Sequence, residues 1–415
     1  MNRVFFKTFG CRTNQFDTQI MISKLDDFIL SNNEITADTI VVNSCTVTNG
    51  ADSSVRGYIN SISKKNPKAK IILAGCGSHS KGESLFKDKK VFGVMGHSEK
   101  ENINHILKES KPFYQIGDLN HIDSTIVEQF IGKSRAFIKI QEGCDFRCSY
   151  CIIPSVRGDA RDHLEDNIIA QIKKLASNGF GEFILTGTNV GSYGKKTGSS
   201  MAKLLKKISD IRGVRRIRLG SIEPIQIDDE LKEIMREPWM AKHIHIALQH
   251  TDDDMLKIMN RRNSFKDDKI LLEEISNLGY AIGTDFIVGH PGESEEIWQK
   301  AINRVQELPL THIHAFSYSK RDNTDSALMK NTIRGDIAKI RHKELINIIR
   351  EKNLKFREDK NKNLEVLIES GKNGVYSGLD QYFNRVQVSS TQDLASSWIL
   401  LDSVEVQNES NMAEF

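Results

Sequence analysis

Short, almost wholly apolar runs alternate with helical stretches along the first hundred residues. Three of these runs, in RVFFKTFGC, DTIVVNSC and AKIILAGC, lead into turns that end at Cys11, Cys45 and Cys76. Continuous apolar runs are typical of parallel strands that are buried on both faces. The pattern therefore predicts an open α/β sheet with the three cysteines at the carboxyl ends of strands, where sites form in such sheets.

A second alternation of apolar runs and helical stretches begins near residue 135. Its predicted strands lie in AFIKIQ, GEFILTG, RRIRLGS, HIHIALQ, AIGTDFIVG and HIHAFSYS. Helices are predicted near residues 163–178, 201–210, 228–236 and 295–307. Six strands separated by helices predict an α/β fold with a partial, TIM-like (β/α)6 barrel, whose active groups lie at the carboxyl ends of the strands.

The pattern changes again after the barrel. Residues 334–362 predict a helical stretch with ten basic and five acidic residues, and the short runs after it predict a small β module. The polar tail, NESNMAEF, predicts disorder. We therefore expect an amino-terminal domain at 1–112, a linker at 113–134, the barrel at 135–355 and a basic helix end with the β module at 356–415.

Composition places limits on the class of protein. A chain of 415 residues favours two or three domains, and it has no apolar run near the roughly 20 residues of a membrane span. We expect a cytoplasmic protein without a membrane partner, whose thiols stay reduced. The net charge of +3, from 58 basic and 55 acidic residues, does not by itself indicate nucleic acid. Three local basic groups, at 64–70, 212–218 and 334–362, could together follow a phosphate backbone.

The segment EGCDFRCSYC places three cysteines close together, at Cys144, Cys148 and Cys151. A closed zinc site would need a fourth Cys or His at a short spacing, and residues 154–161 contain neither. Zinc or a disulfide remains the alternative interpretation. Three thiolates without a fourth fit an iron–sulfur cluster with one open iron. The three strand-end cysteines of the first domain predict a second cluster, unless each is only a small residue that suits its turn.

The motif CxxxCxYC, with Tyr150 before its last cysteine, resembles that of the radical S-adenosylmethionine (SAM) enzymes. The resemblance extends over nearly the whole chain to the methylthiotransferases of that superfamily. It is carried by KTFGCRTNQFDT, VVNSCTVTNGAD, ILAGC, EGCDFRCSYCIIPSVRG, ILTGTNVGSYG, RIRLGSIEP, TDFIVGHPGE and FSYSKRDNTDS. By GCRTNQFDT and NSCTVTN it is nearest the subgroup that acts on threonylcarbamoyladenosine in tRNA. One segment departs from the family, with His250 and Thr251 where a serine-glycine pair is usual.

This resemblance implies SAM and two 4Fe-4S clusters as cofactors. Cys144, Cys148 and Cys151 would ligate the cluster that binds SAM, and Cys11, Cys45 and Cys76 an auxiliary cluster. No catalytic side chain is implied beyond the clusters and SAM. The implied SAM contacts are Tyr150, Arg157, Glu182, Asn189, Glu223 and Gly289.

Several side chains have a simpler alternative interpretation. Glu182 and Glu223 could be solvated strand-end carboxylates, and Arg157 could cap its loop. His243 and His245 alternate along one predicted strand, as His312 and His314 do along another, and this pattern favours packing over metal binding. The carboxyl-terminal module resembles a short TRAM domain, an RNA-binding β module.

The implied reaction adds a methylthio group to C2 of threonylcarbamoyladenosine beside the anticodon, at position 37 of tRNA. Its partners would be the anticodon stem-loop and an electron donor for the cluster. Isopentenyladenosine in tRNA and an aspartate of a ribosomal protein are the alternative substrates. A noncatalytic iron–sulfur protein that binds RNA or senses redox state is the alternative of another class. The sequence does not determine the oligomeric state.

Overall fold

The amino-terminal part of the protein is a parallel sheet with helices on both faces. The computed structural model describes residues 1–415. All strand pairs in this sheet are parallel, in the order β2-β1-β3-β4-β5-β6, which confirms the predicted open α/β sheet. Its elements are β1 (Asn2–Thr8), α1 (Arg12–Ser23), β2 (Phe28–Leu30), β3 (Thr39–Ser44), α2 (Asn49–Lys65), β4 (Lys70–Gly75), α3 (Cys76–Ser80), α4 (Gly82–Lys87), β5 (Gly93–Met95), α5 (Ile103–Lys108) and β6 (Phe113–Gln115).

The central strand β3 explains why apolar runs in this part are continuous. Every residue of β3 is buried. Ile40 and Val42 pack in the cluster that contains Ile59 of α2, whereas Val41 packs in the cluster that contains Met21 of α1. Since both faces of the strand are covered, the hydrophobic effect selects apolar residues at successive positions rather than at every second one.

A partial barrel follows, as predicted. Its strands are β7 (Ala136–Lys139), β8 (Gln141–Glu142), β9 (Arg161–Asp162), β10 (Glu182–Thr186), β11 (Arg216–Leu219), β12 (His243–Gln249), β13 (Ala281–Val288) and β14 (His312–Ser317). Parallel strands pair in the orders β7-β10-β11 and β12-β13-β14, and two isolated parallel bridges join these sheets. The short strands β8 and β9 form a separate antiparallel pair.

Helices alternate with the barrel strands along the chain. They are α6 (Ile153–Arg157), α7 (Glu165–Ser177), α8 (Met201–Ser209), α9 (Asp229–Ile234), α10 (Asp253–Ile258), α11 (Phe265–Asn277) and α12 (Glu295–Glu307). Side-chain oxygens of Ser200, Ser264 and Ser294 accept backbone N–H bonds at the starts of α8, α11 and α12. Such caps stabilise helix starts, typically by ~1 kcal/mol each. The four predicted helices correspond to α7, α8, α9 and α12.

Residues 113–134, predicted to be a linker, contain only β6 as regular structure but pack closely. Val127 and Phe130 are buried in the main core together with Phe16 of α1. Asp123 is also buried and binds Lys100 and Lys139. This segment therefore joins the first sheet to the barrel through one continuous interior.

A long helix and a small sheet complete the chain. The helix α13 (Gly335–Asp359) packs against β13 and β14. The sheet has the order β18-β15-β16-β17-β20-β19, and its strands are β15 (Lys362–Lys372), β16 (Val375–Leu379), β17 (Arg385–Ser389), β18 (Trp398–Ser403), β19 (Glu405–Val406) and β20 (Asn411–Glu414). The predicted disorder of the tail is wrong, because β20 pairs with both β17 and β19 and buries Asn411.

The small sheet docks on the barrel through two arginines of the basic group predicted at 212–218. Arg216 and Arg218 are buried and share the carboxylate of Glu182. Both also donate to backbone carbonyls of the small sheet, and Arg216 stacks on Trp398 at 4.6 Å. These two guanidinium groups are therefore not available to a phosphate backbone, and that part of the basic-group prediction is wrong.

The helices give no sign of a membrane span. None combines the length and the apolar character that crossing a bilayer requires.

Candidate functional site

The central cysteine triplet lies in the loop between β8 and α6. The backbone N–H of Cys151 donates to the carbonyl of Cys148 at 3.0 Å, which turns the loop on itself. All three thiols are free and half-buried. Burial raises the pKa of Cys144 and raises the pKa of Cys151 to about 12. The thiols of Cys144 and Cys151 therefore stay protonated at neutral pH unless a metal group displaces the protons.

Two polar side chains from other loops of the barrel reach this triplet. Asn189, after β10, points its Nδ2 at the Cys144 sulfur at 3.6 Å. Arg261, after α10, holds a guanidinium nitrogen 3.7 Å from the Cys148 sulfur. The same guanidinium makes a two-pronged ion pair with Glu223, after β11. Asn189 and Glu223, both predicted SAM contacts, are thus brought to the triplet.

Arg261 is a residue that the sequence interpretation missed. It lies in IALQHTDDDMLKIMNRR, a segment noted only for its departure from the family at His250 and Thr251. Burial lowers the pKa of Arg261, but the negative charge of Glu223 raises it by more than burial lowers it. The net shift of the pKa is therefore upward. The sequence shows that Arg261 carries a positive charge, but it does not show that Glu223 is the partner.

Tyr150 precedes Cys151 in the loop, and Gly289 follows β13. The Tyr150 ring packs against Met255, Met259 and Ile287, with its centre 6.3 Å from the centre of the His290 ring. Gly289, next to His290, has a φ of +75°, a conformation that favours glycine. Its N–H donates to Glu293 at 2.9 Å. Both predicted contacts are thus near the Cys151 loop.

Glu182 does not join the triplet. It is the first residue of β10, hence at the amino end of the barrel, whereas Asn189 follows the carboxyl end of the same strand. Its buried carboxylate binds Arg216 and Arg218, which hold its pKa at about 2 against the opposing effect of burial. The structure contradicts both predicted roles of Glu182, the SAM contact and the solvated carboxylate, because its partners fix it to the docking surface of the small sheet.

The amino-terminal triplet comes from three separate strands. Cys11 and Cys45 follow β1 and β3, and Cys76 starts α3 directly after β4. Since these strands are adjacent and parallel, their carboxyl ends meet. A side chain at Gly10 would place its Cβ 2.6 Å from Cβ of Cys45 and 3.0 Å from its sulfur. The backbone before Cys11 thus lies directly against Cys45, an approach that only glycine permits.

Arg157 contacts this amino-terminal triplet rather than the central one. Its Nε donates to the Cys76 sulfur at 3.2 Å, and the same guanidinium binds Asn14, Asp17 and Glu142. Arg157 is 1% exposed. Its predicted roles as a SAM contact or a loop cap do not match this position, because every prong of the guanidinium has another partner.

Helix α6 brings the two triplets close together. It begins two residues after Cys151 and ends at Arg157. Ile152 and Val156 pack against Cys76, at the start of α3. A second link is Arg321, which donates to the carbonyl of Thr46 at 2.8 Å, one residue after Cys45.

A buried charge network fixes the two parts to each other. Lys139 on β7 binds Asp17 on α1 and also Asp123 and Glu142. Lys100 binds the same Asp17 and Asp123. Removing one member of a buried network leaves an uncompensated charge, at a cost of about 3–5 kcal/mol. The relative position of the triplets is therefore strongly constrained.

The donor set of each triplet fits an iron–sulfur cluster. A single tetrahedral zinc ion with Zn–S bonds of about 2.3 Å holds its sulfurs about 3.8 Å apart. The groups of three ligand atoms that lie within 4.8 Å of one another in this protein consist of His, Asp and Glu, and neither cysteine triplet is that tight. Three free thiols spread more widely suit a larger group, in which each binds a different iron.

A cavity of about 250 Å³ lies beside Cys151 and is lined by both parts of the protein. Val47 and Thr48 come from the loop after Cys45, and Tyr150 and Cys151 come from the central loop. Phe316 to Ser319, at the end of β14 and just after it, form another part of the wall. Its remaining residues are Ile152, Ile153, Gln249, Asp285 and Ile287. The lining is mostly apolar, so that a planar group could bind there with little water.

Both parts of the chain are similar to known proteins. The radical SAM superfamily profile matches residues 138–305, and the profile of uncharacterized protein family UPF0004 matches residues 3–96. A Helicobacter pylori protein, provisionally named a methylthiotransferase, is 49% identical over the full length of both chains. The threonylcarbamoyladenosine tRNA methylthiotransferase MtaB of Aquifex aeolicus is 34% identical, over 88% of this chain and 92% of that protein.

The chain belongs to the radical SAM methylthiotransferase family. It is therefore an enzyme that uses SAM and a 4Fe-4S cluster. The tRNA-2-methylthio-N(6)-dimethylallyladenosine synthase of Lachnoclostridium phytofermentans is also 32% identical to this methylthiotransferase, over 88% of this chain and 84% of that one.

Solved structures with low sequence identity agree on the fold of this methylthiotransferase. The radical SAM methyltransferase TsrM of Kitasatospora setae superposes with a TM-score of 0.61 at 13% identity, over 79% of this chain and 77% of TsrM. Since the barrel alone is a smaller share of the chain than this, the likeness in fold extends beyond the barrel.

Proposed function

We propose that this methylthiotransferase modifies C2 of threonylcarbamoyladenosine beside the anticodon of tRNA. The observation that carries the proposal is the shared cavity, whose wall includes Cys151 and the loop after Cys45. A substrate base held there would touch both cysteine loops at once. Transfer of a sulfur group to a radical-activated carbon needs such an arrangement, since reacting atoms must come within about 3–3.5 Å.

We assign a 4Fe-4S cluster with SAM to Cys144, Cys148 and Cys151, and an auxiliary 4Fe-4S cluster to Cys11, Cys45 and Cys76. When bound, these groups supply reductive SAM cleavage and a sulfur acceptor for the methyl group, respectively. The remaining work belongs to the protein: it orients the groups and keeps water out.

Specific side chains perform this orienting role. Asn189 and Arg261 donate toward the sulfurs of Cys144 and Cys148, and Glu223 fixes the Arg261 guanidinium. Arg157 donates toward the Cys76 sulfur. Hydrogen bonds to ligand sulfurs tune the reduction potential of a cluster. Ile152, Ile153 and Phe316 in the cavity wall exclude water from the reacting carbon.

A tRNA partner is supported by the named activities of the relatives and by exposed basic residues near the cavity. Arg147 precedes Cys148, Arg262 follows Arg261, and Lys320 follows the cavity residue Ser319; all three are exposed. The lysines at 64–70 lie before and at the amino end of β4, whereas Cys76 follows the carboxyl end of the same strand. Only the basic residues on the cavity side are therefore suited to hold an anticodon stem-loop.

The decisive experiment is mass spectrometry of tRNA nucleosides from cells with and without this protein. We expect the methylthio derivative of threonylcarbamoyladenosine to disappear on deletion and to return with the wild-type gene. A plasmid carrying the Cys144→Ala, Cys148→Ala, Cys151→Ala variant serves as the matched control and should not restore it.

Other outcomes identify the alternative substrates. Loss of the methylthio derivative of isopentenyladenosine, with threonylcarbamoyladenosine products unchanged, would show that this enzyme acts on isopentenyladenosine instead. A methylthio group lost from a ribosomal-protein aspartate, with tRNA unchanged, would reject tRNA as the substrate.

A further inference from the structure

Two histidines and one aspartate meet on the face of three adjacent barrel strands. They are His245 on β12, Asp285 on β13 and His314 on β14. One ligand atom from each lies within 4.8 Å of the other two. Asp285 and His314 are direct register partners on neighbouring strands.

The separations within this group match those of ligands on one metal ion. Asp285 Oδ1 lies 3.1 Å from His245 Nε2 and 3.4 Å from His314 Nδ1. With metal–ligand bonds of about 2.1 Å, adjacent ligand atoms are about 3.0 Å apart in octahedral and about 3.4 Å apart in tetrahedral geometry. The two distances to Asp285 are therefore those of neighbouring ligands on one divalent ion, and the stacked rings of His245 and His314 have their centres 4.8 Å apart.

The buried nitrogen of His245 lacks a satisfactory partner. His245 is 8% exposed, and its Nε2 makes no hydrogen bond of acceptable geometry, although Asp285 is close. A buried polar atom without a partner is costly and calls for an explanation. Its position beside a carboxylate and a second imidazole suits coordination of a cation.

A glycine gives the imidazoles their space. A Cβ at Gly283, on β13 between the histidine-bearing strands, would lie 2.8 Å from His245 Nδ1 and 3.2 Å from His243 Nε2. Any other residue there would push His245 away from Asp285.

A second histidine pair on the same strands has no carboxylate beside it. His243 and His312 face each other with ring centres 5.1 Å apart, and His243 stacks on Phe383 at 4.8 Å. No carboxylate completes a metal-binding group with this pair. The packing expected for all four histidines therefore suits His243 and His312, while Asp285 distinguishes His245 and His314.

We propose that His245, Asp285 and His314 form a binding site for one divalent transition-metal ion, such as zinc, iron or manganese, in the wall of the substrate cavity. Two imidazoles and one carboxylate leave coordination positions open. Asp285 lines the cavity and the His314 side chain is 62% exposed, so the group is accessible to a ligand. The open coordination positions would accept an oxygen ligand from the substrate, whichever of the alternative substrates the enzyme methylthiolates.

The test is equilibrium dialysis of the iron-reconstituted enzyme against Zn²⁺, followed by elemental analysis of zinc and iron in the same sample. Iron loading of both cysteine triplets keeps zinc from the thiols. We expect one zinc per wild-type chain with unchanged iron. Asp285→Asn and His314→Gln should each weaken zinc binding at least tenfold, whereas the matched control His312→Gln should bind as the wild type does.

Three results would overturn the site: no zinc uptake by the wild type, equal uptake by His314→Gln, or an equal loss in His312→Gln. Zinc uptake accompanied by an equal loss of iron would place the zinc at the cysteines instead. His314→Gln is the most useful variant because its side chain is exposed, so its iron content and circular dichroism should match the wild type.

Discussion

The two cysteine triplets are built in opposite ways. Cys144, Cys148 and Cys151 belong to one short loop, whereas Cys11, Cys45 and Cys76 come from three loops that only the parallel sheet brings together. A short loop needs little chain ordering to gather its thiols, but the other triplet requires the whole first sheet to form. We therefore expect the amino-terminal site to be more sensitive to changes in packing.

The triplets also differ in where their polar partners originate. Asn189 and Arg261, near the central triplet, belong to the same barrel as its cysteines. The amino-terminal triplet instead receives Arg157 from the barrel, across the boundary between the two parts. The central site is thus completed within one unit, and the other depends on the docking of two.

The largest effect that would separate the triplets is loss of the cysteines themselves. Replacing Cys144, Cys148 and Cys151 by Ala should abolish both SAM cleavage and methylthiolation, since no open iron would be held. Replacing Cys11, Cys45 and Cys76 by Ala should leave SAM cleavage measurable and stop methylthio transfer. Assays of 5′-deoxyadenosine and of methylthiolated product check the two steps separately. Full methylthiolation by the second variant would refute the auxiliary cluster.

The next effect tests the dependence of the amino-terminal triplet on the barrel. Arg157→Ala removes one buried partner of Asp17 and of Glu142 from the charge network, and we expect a loss of about 3–5 kcal/mol in stability. The amino-terminal triplet should lose its iron before the central one does. Thermal unfolding and iron content measure the two effects.

The matched control for Arg157 is Arg147→Ala. Arg147 pairs with Asp159 at 2.6 Å, but its side chain is 54% exposed. Such exposed pairs contribute about 0–1 kcal/mol. Equal effects of the two substitutions would contradict the proposed link between the parts.

A smaller effect is expected at the central triplet from Asn189→Ala. Removing the amide that points at the Cys144 sulfur should reduce SAM cleavage about tenfold, as is common for groups that support metal ligands. The reduction potential of the central cluster should shift, while the iron content stays unchanged. An unchanged potential together with unchanged cleavage would show that Asn189 plays no part at the cluster.

The smallest effect concerns surface charge on the two edges of the molecule. Lys320→Glu, beside the cavity, should weaken tRNA binding and lower the dependence of log affinity on log salt by about 0.7–0.9 for each phosphate that the variant no longer neutralises. Lys68→Glu, at the opposite edge of the first sheet, should leave both unchanged. Salt titrations of tRNA affinity make the measurement, and equal effects of the two substitutions would reject the proposed binding side.

Much of the fold could be predicted because its signals are local. The continuous apolar run at Thr39–Ser44 reflects burial on both faces of β3. The polar tail was misinterpreted because its strand, β20, depends on pairing with β17 and β19 rather than on its own composition. Pairing partners distant in sequence leave no local pattern.

The sequence by itself determined the alternation of strands and helices, the spacing of Cys144, Cys148 and Cys151, and the family. These features depend on residues close together in the chain. Only the tertiary structure decided that Arg157 donates to the Cys76 sulfur and that Arg261 pairs with Glu223. It also decided that Glu182 belongs to the docking surface of the small sheet. The physical reason is that an ion pair depends on the distance between charges in space and on their burial, and neither is encoded by spacing along the chain.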